Sequence, residues 1–201
     1  LDITLGMTDA ALMDFSDVMA GRCDLSRAAV PHPTVSGLHL LTAPLTLPGD
    51  FPGEAGFQAL LQQAREAYDY VLIDSPAGLG PGFRLAVCGA DRAIVVAVSD
   101  PSSLRDAQRV VTQLSQLETI HLVVNRVRPR LLRRQNTTID DAMDTAGLPL
   151  LGLVPEDPKV VLAATEGRPL AQLGARRGAV RAYENIARRL TGQPVPLMGL
   201  R

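Results

Sequence analysis

The chain has 201 residues, 46% of them hydrophobic and 20% charged, with a formal net charge of −1. That composition fits a folded globular domain and excludes a disordered chain, which lacks the apolar surface to offset the entropy of ordering. The near-neutral charge excludes a globally cationic nucleic-acid binder, and no apolar run approaches the ~18 residues of a membrane span.

Leu1-Asp2-Ile3-Thr4 has neither a charged leader region nor a long apolar run, so it is no signal peptide, and without an initiator Met it reads as the middle of a protein. Cys23 and Cys88 stand far apart and in no metal-ligand spacing, which fits small buried apolar residues in a reducing cytosol. Leu38-His39-Leu40-Leu41 predicts a strand, and Tyr70-Val71-Leu72-Ile73 a stronger one ending at Asp74. Gly78, Gly80 and Gly82 fail the dinucleotide fingerprint because Phe83 stands where its last glycine is needed, so they predict a flexible loop into a helix. Ala93 to Val98 predicts the next strand. Leu104, Ala107, Val111, Leu114 and Leu117 then form one apolar stripe over 101–117, with Pro101 in the first turn and Asp100 or Ser99 as cap. Strands follow at Ile120–Val124 and Leu150–Val154. Between them Thr137 or Thr138 caps a helix that Gly147 stops. Val180, Tyr183, Ile186, Ala187 and Leu190 line the last helix, with Arg181, Arg188 and Arg189 outside it. Short β-branched runs alternating with helices predict an α/β, doubly wound, mostly parallel sheet flanked by helices, in one domain over 1–201.

In such folds ligands bind beyond the carboxyl ends of the strands, which makes three segments candidates. Asp74 ends an apolar strand, where a carboxylate can reach Mg²⁺ through a coordinated water; an Asp that simply terminates a strand is the plainer alternative. In the following Ser75-Pro76-Ala77-Gly78, Pro76 stiffens the turn and Gly78 permits backbone angles that a phosphate sensor needs. Asn125 offers both a donor and an acceptor, which suits a purine edge and equally suits capping a turn. Pro155-Glu156-Asp157-Pro158 is an acidic turn bracketed by prolines, able to hold backbone against a base or only to lead into a helix.

VLIDSPAG, AIVV with SSLRDAQR, NRVRP, PLLGLVPED, and Ala182-Tyr183 with IARRLTG occur in one order. Together with Leu1-Asp2, the LGM that follows and VMAGRCDLSRAAV, they resemble the MinD/ParA family of deviant P-loop ATPases across nearly the whole chain. The resemblance implies an ATP- and Mg²⁺-dependent switch that dimerises around nucleotide and positions the division site. It implies Asp74 as the Walker B aspartate and Ser75, Pro76, Ala77 and Gly78 as the nucleotide-sensing switch. Asn125 and Arg126, with Pro155, Glu156 and Asp157, match the segments enclosing adenine. It further implies division-inhibitor and activator proteins as partners, a cytoplasmic location and peripheral membrane contact. The alternatives are a flagellar-placement or DNA-partition ATPase, with DNA binding the less favoured, and a non-catalytic interaction module.

Two departures qualify the resemblance. The family's phosphate loop, KGGxGKTT, is absent: nineteen of the twenty basic residues are Arg and the one lysine is Lys159, between Pro158 and Val160. A planar guanidinium does not replace an ammonium point charge. The expectation is that about forty N-terminal residues, the first βα unit, lie outside the sequence, and that the chain alone does not hydrolyse ATP. At the other end Gly192, Pro194, Pro196 and Gly199 forbid the family's membrane-binding amphipathic helix. The basic run Arg126, Arg128, Arg130, Arg133 and Arg134 reads as a solvated loop, with a partner- or lipid-facing patch as the alternative.

Overall fold

The computed structural model describes residues 1–46, 51–135, 138–174 and 177–197, without the side chains of Arg133 and Gln135. Thr137, Met198 and Gly199 therefore lie outside the described residues. The chain forms two units, Leu1–Ala90 with Ala164–Pro169, and Asp91–Ala163 with Leu170–Arg201.

The first unit is built from short helices, α1 (Asp2–Leu5), α2 (Phe15–Met19) and α3 (Leu25–Ala28), a two-residue antiparallel ladder of β1 (Val30–Pro31) with β2 (His39–Leu40), then α4 (Gly53–Ala67) and α5 (Pro81–Val87). Phe57, Leu60, Leu61 and Ala64 recur along α4 and meet Val18, Leu25 and Ala28 in one buried cluster. Asp14 caps α2 by accepting the Ser16 N–H at 2.7 Å, while Asp17 accepts the Asp14 N–H at 2.9 Å.

One strand expectation holds only in part here and another fails. Leu38–Leu41 does not enter a parallel sheet; only His39 and Leu40 pair, antiparallel, with Pro31 and Val30. Tyr70–Ile73 forms no strand at all, and Leu72 is 83% exposed. Its residues suit a strand, but β-propensity measures fit to a paired, packed surface, and no described strand pairs with it.

The second unit carries the sheet. Strands β3 (Arg92–Val98), β4 (Thr119–Val127) and β5 (Leu150–Pro155) run parallel in the order β3-β4-β5. The register pairs Val95 with Leu122 and Ala97 with Val124, so these four buried residues share one face. Helix α6 (Pro101–Thr112) packs on β3 and against α8 (Ile139–Ala146), which reaches β4. The opposite face of β5 takes the last helix, α10 (Gly178–Leu190); α7 (Pro129–Gln135) and α9 (Pro158–Thr165) follow β4 and β5. Gly152 makes the α10 contact possible, since a Cβ there would lie 2.4 Å from Ile186 Cγ1. Helices on both faces of a parallel sheet are the α/β architecture expected from the sequence.

Capping follows the sequence closely. Asp100 accepts the Ser103 N–H at 3.0 Å, Thr138 caps α8 with Asp141 answering, and Gly147 ends α8 at φ 68°. Helix α6 stops at Thr112 rather than near 117. Beyond it Leu114 and Leu117 donate to carbonyls three residues back, so the stripe continues through tightened turns after the β-branched Val110-Val111-Thr112.

Candidate functional site

Asp74 to Gly78 lie in the first unit as an exposed, irregular segment leading into α5. Among the described residues the Asp74 carboxylate makes no hydrogen bond or ion pair. The Ser75 hydroxyl donates only to the Pro76 carbonyl, at 3.3 Å. Gly78 sits at φ 85°, a backbone angle that favours glycine, with open space where a side chain would be. Gly80 and Pro81 then start α5, as the glycine-rich loop predicted.

The remaining expected site residues belong to the second unit, and there the structure brings them together. At the end of β4 the ladder to β5 becomes irregular between Val124 and Val127. Arg126 stands at φ 51°, a conformation that costs a non-glycine residue about 1–2 kcal/mol. The irregularity takes Asn125 and Arg126 out of the pairing with β5, as a bulge does, while Asn125 stays opposite Val98 of β3. Asn125 Oδ1 accepts the Arg126 N–H at 2.9 Å, which leaves its amide NH₂ as the remaining donor of the side chain. The Glu156 N–H returns to the Val127 carbonyl at 3.0 Å and fixes the 155–157 turn beside them.

Glu156 is the electrostatic centre of this loop pair. Its Oε1 accepts from Arg128 Nη2 at 2.6 Å and from Arg126 Nη2 at 3.1 Å, and Arg128 Nε completes a fork on Oε2. Charge-assisted pairing of this kind favours the carboxylate. Hydrogen bonds from Arg128 first and Arg126 second hold the Glu156 carboxyl down at about 2. Sequence reasoning places Glu156 in the turn but not in this bridge; alternating Arg126 and Arg128 on one strand end is the available signal.

Asp157 has a different job. Its Oδ1 accepts the Lys159 N–H at 3.0 Å at the start of α9, and its Oδ2 accepts the Ala179 N–H at 3.1 Å at the start of α10. One carboxylate therefore serves two helix N-termini, where negative charge is favoured. Arg189 is expected outside the last helix, yet its guanidinium donates to the carbonyls of Leu151 and Val195 and holds the tail that follows.

No protein-family model matches the sequence. The septum site-determining protein MinD of Bacillus subtilis is 37% identical over 205 residues, taking in 100% of this chain and 76% of that protein. The chain belongs to the MinD family. The structure of the MinC:MinD cell division protein complex from Aquifex aeolicus superposes with a TM-score of 0.89 at 32% identity, over 99% of this chain and 81% of that one. Pyrococcus horikoshii MinD complexed with Mg-ADP shares the fold, with a TM-score of 0.79 at 24% identity over 94% of this chain and 77% of that one.

The residues present fit the groups such a MinD protein holds only in part. Asp74 offers a hard, unpaired oxygen of the kind Mg²⁺ takes, and no group of three or more His, Cys, Asp or Glu among the described residues offers a competing metal site. Phosphates are another matter. The only lysine, Lys159, starts α9 with its N–H on Asp157, and no glycine-rich lysine loop occurs in the 201 residues.

Proposed function

We propose that the chain is the metal- and base-contacting part of a MinD-type ATPase, an ATP-dependent dimerising switch that places the cell-division septum. The identity to MinD along the whole chain carries this reading. Asp74 holds Mg²⁺ through water, and Ser75, Pro76, Ala77 and Gly78 report the state of the phosphates. Asn125 and Arg126, with Pro155 to Asp157, border the adenine. Bound Mg²⁺ supplies charge neutralisation on the transferring phosphoryl group. Within the base segments Asn125 donates, Glu156 keeps Arg126 and Arg128 gathered, and Asp157 holds the turn on two helices. The 201 residues supply no phosphate loop, so ATP binding by this chain alone is expected to be weak or absent.

The partners on this reading are a second copy in the ATP state, a division inhibitor such as the MinC that accompanies MinD in the Aquifex aeolicus complex, and an activator. No helix among the described residues is long and apolar enough to cross a membrane. The reading places the protein in the cytoplasm with peripheral membrane contact.

Asp74→Asn in the intact gene product tests it. The substitution keeps size and shape and removes the charge facing the metal. Loss of one charge-assisted contact costs about 1.5–3 kcal/mol, roughly tenfold to a hundredfold in Mg²⁺-dependent ATPase rate. A variant with a normal melt and the wild-type rate would show that Asp74 only ends the apolar run.

A further inference from the structure

His32, in the first unit, is only 7% exposed and has no part in the metal or base segments. It stands between Pro31 and Pro33, and a residue before proline is held to extended backbone angles, so the chain turns only after it. That turn closes on His32 itself. Its N–H donates to the Leu38 carbonyl at 2.8 Å, and its Nδ1 accepts the N–H groups of Thr34 and Val35, each at 3.1 Å. Two backbone donors aimed at one ring nitrogen leave no place for a proton on it. The ring is therefore neutral with its hydrogen on Nε2, and Nε2 donates to the Leu5 carbonyl of α1 at 3.1 Å, across 27 positions of sequence. Helix α1 has no buried residue of its own, so polar contacts of this kind matter to its placement. Another hold on it is Gly6, whose backbone lies so close to Gly167 that a Cβ would come within 2.2 Å of the Gly167 carbonyl oxygen.

We propose that His32 is an acid-sensitive latch: its neutral ring fastens α1 to the 32–38 turn, and its protonation releases both. A second proton has only Nδ1 to go to, the atom on which the Thr34 and Val35 N–H groups converge. Charging the ring therefore turns their acceptor into a third donor, and the turn opens to let water take the charge. No charged side chain among the described residues bonds to the ring and offsets this. Asp2 of α1 has its carboxylate 3.7 Å from the Leu1 amino group, and His39 of β2 meets the Tyr68 ring with centroids 5.2 Å apart. Glu166 and Arg168, on either side of Gly167, pair with each other at 3.3 Å, and residues 33–38 hold no ionisable side chain. The direction follows from proton counting. The open form takes up the proton that the closed form has no place for, so closure is favoured above the ordinary imidazole range near about pH 6.5 and weakens as pH falls through it. The latch needs no nucleotide and does not rest on the ATPase reading.

Two NMR measurements on the 201-residue chain test it. The imidazole nitrogen shifts of His32 at neutral pH are expected to show the hydrogen on Nε2. Hydrogen exchange at the Thr34 and Val35 amides, corrected for intrinsic rate, is expected to give opening constants that rise about tenfold between about pH 7.5 and 5.5. His32→Asn puts a carboxamide oxygen, which takes up no proton in this range, where Nδ1 stands. It should keep the turn closed and remove the rise. His32→Gln reaches as far as Nε2 but lacks the nearer acceptor, so its turn should be open at both pH values. The other two histidines serve as controls: His39→Asn and His121→Asn should both keep the rise. The proposal is overturned if the ring carries its hydrogen on Nδ1, if the wild-type opening constants do not change with pH, or if His32→Asn keeps the rise. Loss of the rise in His39→Asn overturns it as well, since the sensing group would then be His39. The two wild-type measurements decide the matter by themselves should a His32 variant fail to fold.

Discussion

Tyr70–Ile73 and Ala93–Val98 are both short apolar runs with β-branched residues, yet they end in different states. Arg92–Val98 pairs with β4 through seven consecutive register positions and buries Val95 and Ala97 beneath α6. Tyr70–Ile73 pairs with no described strand, and Tyr70, Val71 and Leu72 are exposed. The difference is the neighbour. A strand exists when its N–H and C=O groups find a ladder, and an apolar run without one stays irregular however suitable its side chains.

Hydrogen exchange gives the widest separation between the two regions. Amides of the central strand β4 open only with the global unfolding of the second unit, so Leu122 and Val124 are expected to exchange slower than Leu72 and Ile73 by at least about a thousandfold. Equal protection would mean that 70–73 is paired in solution. Truncation sharpens the comparison next. Leu122 is fully buried, so Leu122→Ala should cost about 3 kcal/mol in a denaturant melt, against less than about 0.5 kcal/mol for Leu72→Ala in its open segment. A large loss at Leu72 would show that its side chain is covered. Asp157→Ala removes the acceptor from two helix starts in the sheet-bearing unit and should cost about 2 kcal/mol by thermal melt. Asp74→Asn, whose carboxylate has no partner in the segment after Ile73, should leave the melt unmoved.

The smallest effect is one of pH. The folded-state Glu156 carboxyl titrates at about 2, below its ordinary value of 4.5. A depressed carboxylate contributes stability that is present above its unfolded value and is lost as pH falls through the folded one. The Arg126–Glu156–Arg128 bridge should therefore stay closed in the folded protein until the pH nears about 2, while its contribution to stability declines from about pH 4.5 downward. Carboxyl carbon shifts followed by NMR check this, and Arg128→Gln should bring the Glu156 midpoint back up.

The legible parts of the sequence are those set by local rules. The strands at 93–98, 120–124 and 150–154, the Asp100 and Thr138 caps and the Gly147 stop all stand where the pattern puts them, because period, cap chemistry and glycine geometry act over a few residues. What the pattern misses depends on partners far along the chain. Tyr70–Ile73 carries strand composition without strand pairing, Leu38–Leu41 pairs only at His39 and Leu40, and nothing local reveals which carbonyl Arg189 will reach. The α4 stripe of Phe57, Leu60, Leu61 and Ala64 is a local signal too, at helical spacing, though it stands in none of the expected elements. The candidate site is legible as positions, since all of its residues follow apolar runs. Its division of labour is not: Glu156 serving Arg126 and Arg128, and Asp157 serving two backbones, emerge only when β4, β5, α9 and α10 are set side by side.

The Asp157 arrangement has a mechanical consequence. With both carboxylate oxygens committed, the 155–157 turn and the first turns of α9 and α10 share one hinge pin. A push on the turn is passed to both helix starts, unless the bond to one of them breaks. Any ligand that displaces Pro155 or Glu156 thus acts on a lever with two arms, each a helix long.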